Sequence, residues 1–200
     1  MKILILTFLF LPLLATAQKP TTYLKRVKVK GPAEENLLSI KVYESKLKLE
    51  FESKASPVET TSGNTKRKYR SSQGKTIAEI KSSKDGFKVR NENGQLLWKV
   101  KLYPSKIRIS ENENGEKPIE LKWKDGTKIK IYDEDKLTAE AKFYPDRKEA
   151  KVKNPSGTTL MEADMEALNT MIACLAAGRI PKEQRFIIAA ELLARDQVAK

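Results

Sequence analysis

From Tyr23 to about Leu160 apolar and cationic side chains alternate along the chain. This is the period-two pattern that places successive side chains on opposite faces of a strand and leaves a sheet buried on one side and wet on the other. WKVKL at 98–102, KIRI at 106–109, LKWK at 121–124 and KIKI at 128–131 are the cleanest runs, and RVKV at 26–29, LKLEF at 47–51 and TIAEI at 76–80 follow less strictly. Between the runs stand Asp85-Gly86, Asn93-Gly94, Asn114-Gly115 and Asp125-Gly126, dipeptides that tolerate the positive φ angles of tight hairpin turns. Pro104-Ser105, Pro145-Asp146 and Pro155-Ser156-Gly157 add further breaks. The pattern predicts a mainly β domain, an antiparallel meander of about a dozen short strands, and a sheet that wide curls or closes into a barrel or strongly bent sheet.

A repeat lies inside the pattern. The segments beginning at Phe87, Lys106 and Lys128 each read as strand, polar turn, strand and break, in units of about 20 residues. The first two carry the tetrapeptide NENG in the turn, and the third has Asp133-Glu134-Asp135 there. The Ser-, Thr- and Lys-rich segment 54–74 is the least patterned and reads as a long loop. No linker divides the chain, so residues 18–200 form one domain.

Near Thr158 the period changes to that of a helix. Thr159 and Glu162 fit a capping box, in which the two side chains satisfy free N–H groups at a helix start. Met165, Leu168, Met171, Ile172 and Leu175 recur at helical spacing behind it. Gly178 ends this helix and Pro181 suits the first turn of the next, which gives helices over about 160–177 and 181–195. The second, with Phe186, Ile187, Ile188, Ala189, Ala190, Leu192 and Leu193, is apolar on most sides and must be covered.

At the N-terminus Lys2, an apolar run from Ile3 to Leu14 and Ala15-Thr16-Ala17 form a secretory signal peptide over residues 1–17. The run is shorter than the about 20 residues of a membrane span, so no transmembrane segment remains after cleavage. Cys174 is the single cysteine, which excludes an intrachain disulfide, and there is no histidine. The missing imidazole removes the commonest general base and metal ligand together with the ordinary Ser/His/Asp arrangement. The formal charge of +13 favours anionic partners such as lipid headgroups or acidic glycans. Lysines also keep strand-rich proteins soluble and guard sheet edges, a reading that stands ahead of any specific polyanion. Export and the preference for lysine over arginine argue against nucleic acid.

Asp133-Glu134-Asp135 and Glu111 to Asn114 carry oxygens that could ligate calcium, but they lack the spacing of an EF-hand. Among Glu79, Glu120 and Glu140 two could in principle form the carboxylate pair that glycoside cleavage needs. Neither yields a catalytic, metal or cofactor assignment, since solvated turns and strand faces account for these residues equally well. Alternation turns Trp98 and Trp123 away from their lysine neighbours and into the core. It leaves Lys99, Lys101, Lys122, Lys124, Lys128 and Lys130 sharing the wet face as the candidate anion-binding patch.

The hairpins Phe87 to Tyr103, Lys106 to Lys124 and Lys128 to Phe143, followed by the apolar segment Phe186 to Ala194, resemble the tubby-like superfamily: the tubby C-terminal domain, the LURP-one-related proteins and the phospholipid scramblases. That resemblance implies a barrel of about twelve strands around a hydrophobic C-terminal helix, with basic side chains on the barrel contacting membrane lipids.

The expected function is an exported, periplasmic or extracellular, non-enzymatic binding or scaffold protein that touches an anionic envelope component through lysines. The alternative is a carrier holding a lipid or acyl chain in an internal cavity, and the third reading is a carboxylate-based hydrolase. Whether the last helix lies inside the strands or beside them decides between a filled barrel and a cavity. An outer-membrane barrel is disfavoured, because most of the strands fall short of the about 9–11 residues such barrels use.

Overall fold

The structure, a computed structural model, describes residues 23–51, 54–62 and 65–195. The expected signal peptide at 1–17 lies outside the described residues. Fourteen antiparallel strands follow one another around a ring: β1 (Lys25–Lys30), β2 (Asn36–Val42), β3 (Leu47–Phe51), β4 (Lys54–Ser62), β5 (Lys66–Arg70), β6 (Thr76–Ser83), β7 (Gly86–Arg90), β8 (Leu96–Leu102), β9 (Lys106–Ser110), β10 (Ile119–Asp125), β11 (Lys128–Asp133), β12 (Lys136–Tyr144), β13 (Glu149–Lys153) and β14 (Thr159–Asp164). Each pairs with its sequence neighbour, and β14 meets β1 through Val29↔Ala163 and Lys30↔Glu162. That seam is the shortest pairing in the wall.

Alternation decides which side chains go inside. Val27, Val29, Leu38, Ile40, Leu47, Leu49, Ile107, Ile109, Ile129 and Ile131 are buried, while the lysines between them face out. The meander gives the barrel two ends. Among the described connections, the upper end carries β1–β2, β5–β6, β7–β8, β9–β10, β11–β12 and β13–β14, and the lower end carries β2–β3, β6–β7, β8–β9, β10–β11 and β12–β13 together with the start of β1.

The two NENG turns sit at equivalent upper positions. In the first, the Asn91 side chain accepts from the backbone N–H groups of Asn93 and Gln95. In the second, Asn112 accepts from those of Gly115 and Glu116. Gly94 and Gly115 take φ of 78° and 76°, which costs a residue without Cβ little. In the third repeat Glu134 and Asp135 adopt positive φ of 47° and 66° without glycine. Gly86 has a different reason to be glycine: a Cβ there would meet the Val100 carbonyl oxygen at 2.0 Å.

Segment 54–74 contains β4 and β5 rather than a long loop. Its inward residues Thr60, Arg67 and Tyr69 are polar, which hid the alternation. Thr159 to Glu162 belongs to β14, so the expected helix start there is corrected. Glu162 reaches Lys151 on the neighbouring strand at 2.8 Å instead of capping a helix. The first helix, α1 (Thr170–Leu175), is capped by Asn169, whose side chain accepts from Met171 N–H at 2.9 Å. The second, α2 (Lys182–Ala194), follows Pro181 at its N-cap.

Both helices lie within the strands. All six residues of α1 are buried, and so are eight consecutive residues of α2 from Phe186 to Leu193. Burial through two full turns requires cover on every side. For strands about 4.8 Å apart and tilted by about 40°, a fourteen-strand ring is roughly 28 Å across, and two helices of about 10 Å each fill it. Cys174 of α1 faces α2 near the Arg185 carbonyl, and burial pushes its thiol up to about 12. No helix among the described residues is long and apolar enough to cross a membrane.

Candidate functional site

The six candidate lysines all stand on the outer wall of β8, β10 and β11, but they are not equivalent. Lys99 donates to the Glu113 carbonyl and lies 3.3 Å from its carboxylate. Lys122 sits 2.6 Å from Glu120 and 4.8 Å above the Tyr132 ring. Lys101 and Lys124 are exposed, and with Lys130 they make no ion pair among the described residues. Lys128 opens β11 opposite Asp125.

Strand register adds what alternation alone does not reveal. Lys66, Lys81, Lys88 and Lys99 stand directly opposite one another across β5, β6, β7 and β8. Lys106, Lys122 and Lys130 do so across β9, β10 and β11, and Lys128, Lys142 and Lys151 across β11, β12 and β13. Four of the six candidates, Lys99, Lys122, Lys128 and Lys130, belong to three cationic rows that also contain Lys66, Lys81, Lys88, Lys106, Lys142 and Lys151, whereas Lys101 stands opposite Gly86 and Arg108 and Lys124 lies at a register shift outside the rows. Each of these is visible as a lysine at an outward position of its own strand, but which of them meet depends on register.

Carboxylates interrupt the rows: Glu79 lies 3.8 Å from Lys66, Glu149 and Glu162 lie 3.1 and 2.8 Å from Lys151, and Glu113 and Glu120 each gather three cations. Glu113, in the second NENG turn, approaches Lys88 at 2.6 Å, Lys99 at 3.3 Å and Arg90 at 3.8 Å. Hydrogen bonds from Lys88 and then Lys99 hold its carboxyl below the usual range. Glu120, with its side chain 9% exposed, collects Lys122 at 2.6 Å, Lys106 at 2.7 Å and Arg108 at 3.4 Å. Burial works to raise its pKa, but the hydrogen bonds and charges of Lys106 and Lys122 prevail and the net shift is downward. A recess of about 400 Å³ lined by Arg108, Lys117, Glu120, Glu134 and Asp135 opens beside it.

The candidate catalytic carboxylates Glu79, Glu120 and Glu140 do not face one another across a cleft. Glu79 lies 3.8 and 3.9 Å from Lys66 and Lys68, Glu120 is held as described, and Glu140 stands between Lys130 and Lys153. Of the candidate calcium-ligating acids, Glu111, Asp133 and Glu134 surround Arg179 at 3.8, 3.3 and 3.1 Å. Arg179 lies in the α1–α2 connection and also donates to the Lys117 carbonyl at 2.6 Å. These contacts fasten the helical pair to the upper turns. Trp98 is in the core, where its Nε1 donates to Gln184 of α2, and Trp123 packs partly buried against the core.

A polar cluster that sequence reading missed is sealed inside the lower half. Glu191 of α2 is fully buried; Arg67 donates to its Oε1 at 2.7 Å, the Tyr69 hydroxyl donates to the same oxygen at 2.8 Å, and Arg195 donates to Oε2 at 3.2 Å. Arg195 also donates to the Ser82 hydroxyl at 2.7 Å and lies 4.8 Å over the Phe87 ring. Desolvation, then the Glu191 charge, raises the Tyr69 pKa well above its ordinary value. For Arg67 desolvation acts downward, but Glu191 outweighs it and the net shift is upward. A lone glutamate in an apolar helix was the only local signal.

Compared with protein-family models, curated proteins and solved structures, the chain finds no match in any of the three.

Proposed function

We propose that this chain is an exported, non-enzymatic binding or scaffold protein whose basic outer wall contacts an anionic component of the cell envelope, a lipid headgroup or an acidic glycan. The observation that carries the reading is the set of cross-strand lysine rows. Like charges directly opposite on neighbouring strands destabilise a sheet, yet Lys66, Lys81, Lys88 and Lys99 face one another on four successive strands. Glu79 and Glu113 offset part of that repulsion, and an anion lying on the wall relieves what they leave.

The tubby-like resemblance belongs to the same reading. It is supported by α2 lying within the strands, and the two strands beyond twelve accompany the second helix because a wider ring needs more filling. The carrier reading has no comparable support, since α1 and α2 take up the space that a cargo would need.

Binding to anionic vesicles or acidic glycans should weaken steeply between 0.1 and 1 M salt, as the Debye length falls from about 10 Å to about 3 Å. Absence of binding to either at low salt refutes the proposal.

A further inference from the structure

We infer that the lower end of the barrel docks end-on against a planar anionic lipid surface. This rests on the proposed binding role and adds which source of anion is engaged and by which face.

Three features converge on that end. The first is charge. Among the described strand-to-strand connections, those at the upper end contain eight acidic and two basic residues, and those at the lower end three and four. Eight strands, β1, β2, β3, β5, β8, β9, β10 and β11, place a basic residue in one of their last two positions at the lower end, against six at the upper end, so the asymmetry lies chiefly in the acidic upper turns. An approaching anionic surface is therefore attracted by one end of the barrel and repelled by the turns of the other.

The second is apolar exposure. Tyr23, Leu24 and Tyr103 are the exposed large hydrophobic side chains among the described residues, at 45%, 62% and 37%, and all three are at the lower end. Tyr43 and Tyr144 stand in or beside lower connections with Lys46, Lys142 and Arg147 over their rings. Tyrosine next to basic side chains suits the headgroup layer, where an apolar ring and a polar tip each find their own medium.

The third is a cleft. Below the short β1–β14 seam the two strands part, leaving about 530 Å³ with Leu24, Val27, Met165 and Leu193 on its walls and Lys25, Arg26, Arg147 and Lys148 around it with two acids, Asp164 and Glu166, the latter 2.8 Å from Lys148. An apolar wall with four basic against two acidic residues around it fits a phospholipid, whose acyl chain and anionic head need both. End-on contact also matches the ring geometry, since a flat surface laid along the side of a barrel meets only a few strands.

The test compares Lys101→Glu/Lys124→Glu at the lower end with Lys136→Glu/Lys153→Glu at the upper end, two variants of equal net charge. The probes are phosphatidylcholine vesicles containing phosphatidylglycerol and soluble dextran sulfate, with Tyr103→Trp as a fluorescent reporter. The lower pair should reduce vesicle affinity roughly tenfold or more, at about 1 kcal/mol for each juxtamembrane lysine. The upper pair should change it less than about twofold, since its lysines face away from the surface beyond a Debye length. The Tyr103→Trp emission should shift to the blue on vesicles. Equal losses from both pairs, or vesicle binding with no blue shift, overturn end-on docking and leave the proposed function standing. Binding to dextran sulfate without binding to vesicles assigns the wall to a soluble polyanion and also overturns it. Binding to neither probe removes both.

Discussion

Glu191 and Glu120 are built alike and do different things. Each carboxylate gathers three donors, Arg67, Tyr69 and Arg195 in one case and Lys106, Arg108 and Lys122 in the other. Glu191 is sealed between a helix and the barrel wall at 0% exposure, and Glu120 lies on the outer face of the wall with water on one side. In the interior, a charge that loses its partner has no water to replace it, so the inner cluster fixes where α2 sits. On the wall, water and mobile lysines compensate, so the outer cluster sets how much positive charge is left for a partner.

The largest predicted effect breaks the inner cluster. Arg67→Ala leaves Glu191 charged and buried with fewer donors and should cost about 3–5 kcal/mol in denaturant unfolding. Glu191→Ala should cost less, because Arg67 is 27% exposed and can turn toward water. If the two substitutions cost the same, Glu191 is not the group that traps the charge. Cys174 supplies an independent reading: its thiol is buried and shifted to about 12, so alkylation at pH 8 should be slow in the native protein and faster wherever a substitution loosens the helices.

Next comes Tyr69→Phe, which removes one hydrogen bond to Glu191 and keeps the ring in place. It should cost about 1–2 kcal/mol.

Glu120→Gln sharpens the comparison from the outside, with an expected loss of no more than about 1 kcal/mol at neutral pH. Its carboxyl titrates below the ordinary 4.5 in the folded protein. The stabilisation it gives is therefore present above that value and disappears as pH falls through the folded pKa. The variant should show a flatter loss of stability below about pH 4.5 than the parent.

Glu113→Gln should have the smallest effect on stability, with no resolvable change in melting temperature. It should strengthen binding to a soluble polyanion such as dextran sulfate, which can reach the whole wall, because it releases Lys88, Arg90 and Lys99 from their internal counter-ion. Unchanged or weaker binding would show that these three cations play no part in the surface.

Much of the wall was legible because each strand announces its own faces. WKVKL alone places Trp98 and Val100 inside and Lys99 and Lys101 outside, and the structure places them so. The NENG turns were legible as well, because Asn91 and Asn112 bond to backbone groups within four residues of themselves. Thr159 to Glu162 misled, since a local capping motif competes with a strand whose partners, β13 and β1, lie elsewhere in the chain. Tyr69 and Glu191, 122 residues apart, carry no mark that they meet.

The sequence by itself determined the alternation, the turns, the apolar helices and the cationic exterior, because these follow from side-chain periodicity and from contacts a few residues long. Only the tertiary structure decided that lysines of neighbouring strands align in rows, that β1 and β14 part below their seam, and that both helices fill the ring with Glu191 neutralised inside it. Register, closure and burial of charge are set by which distant segments pack together, and the free energy of that packing belongs to pairs of segments rather than to either one alone.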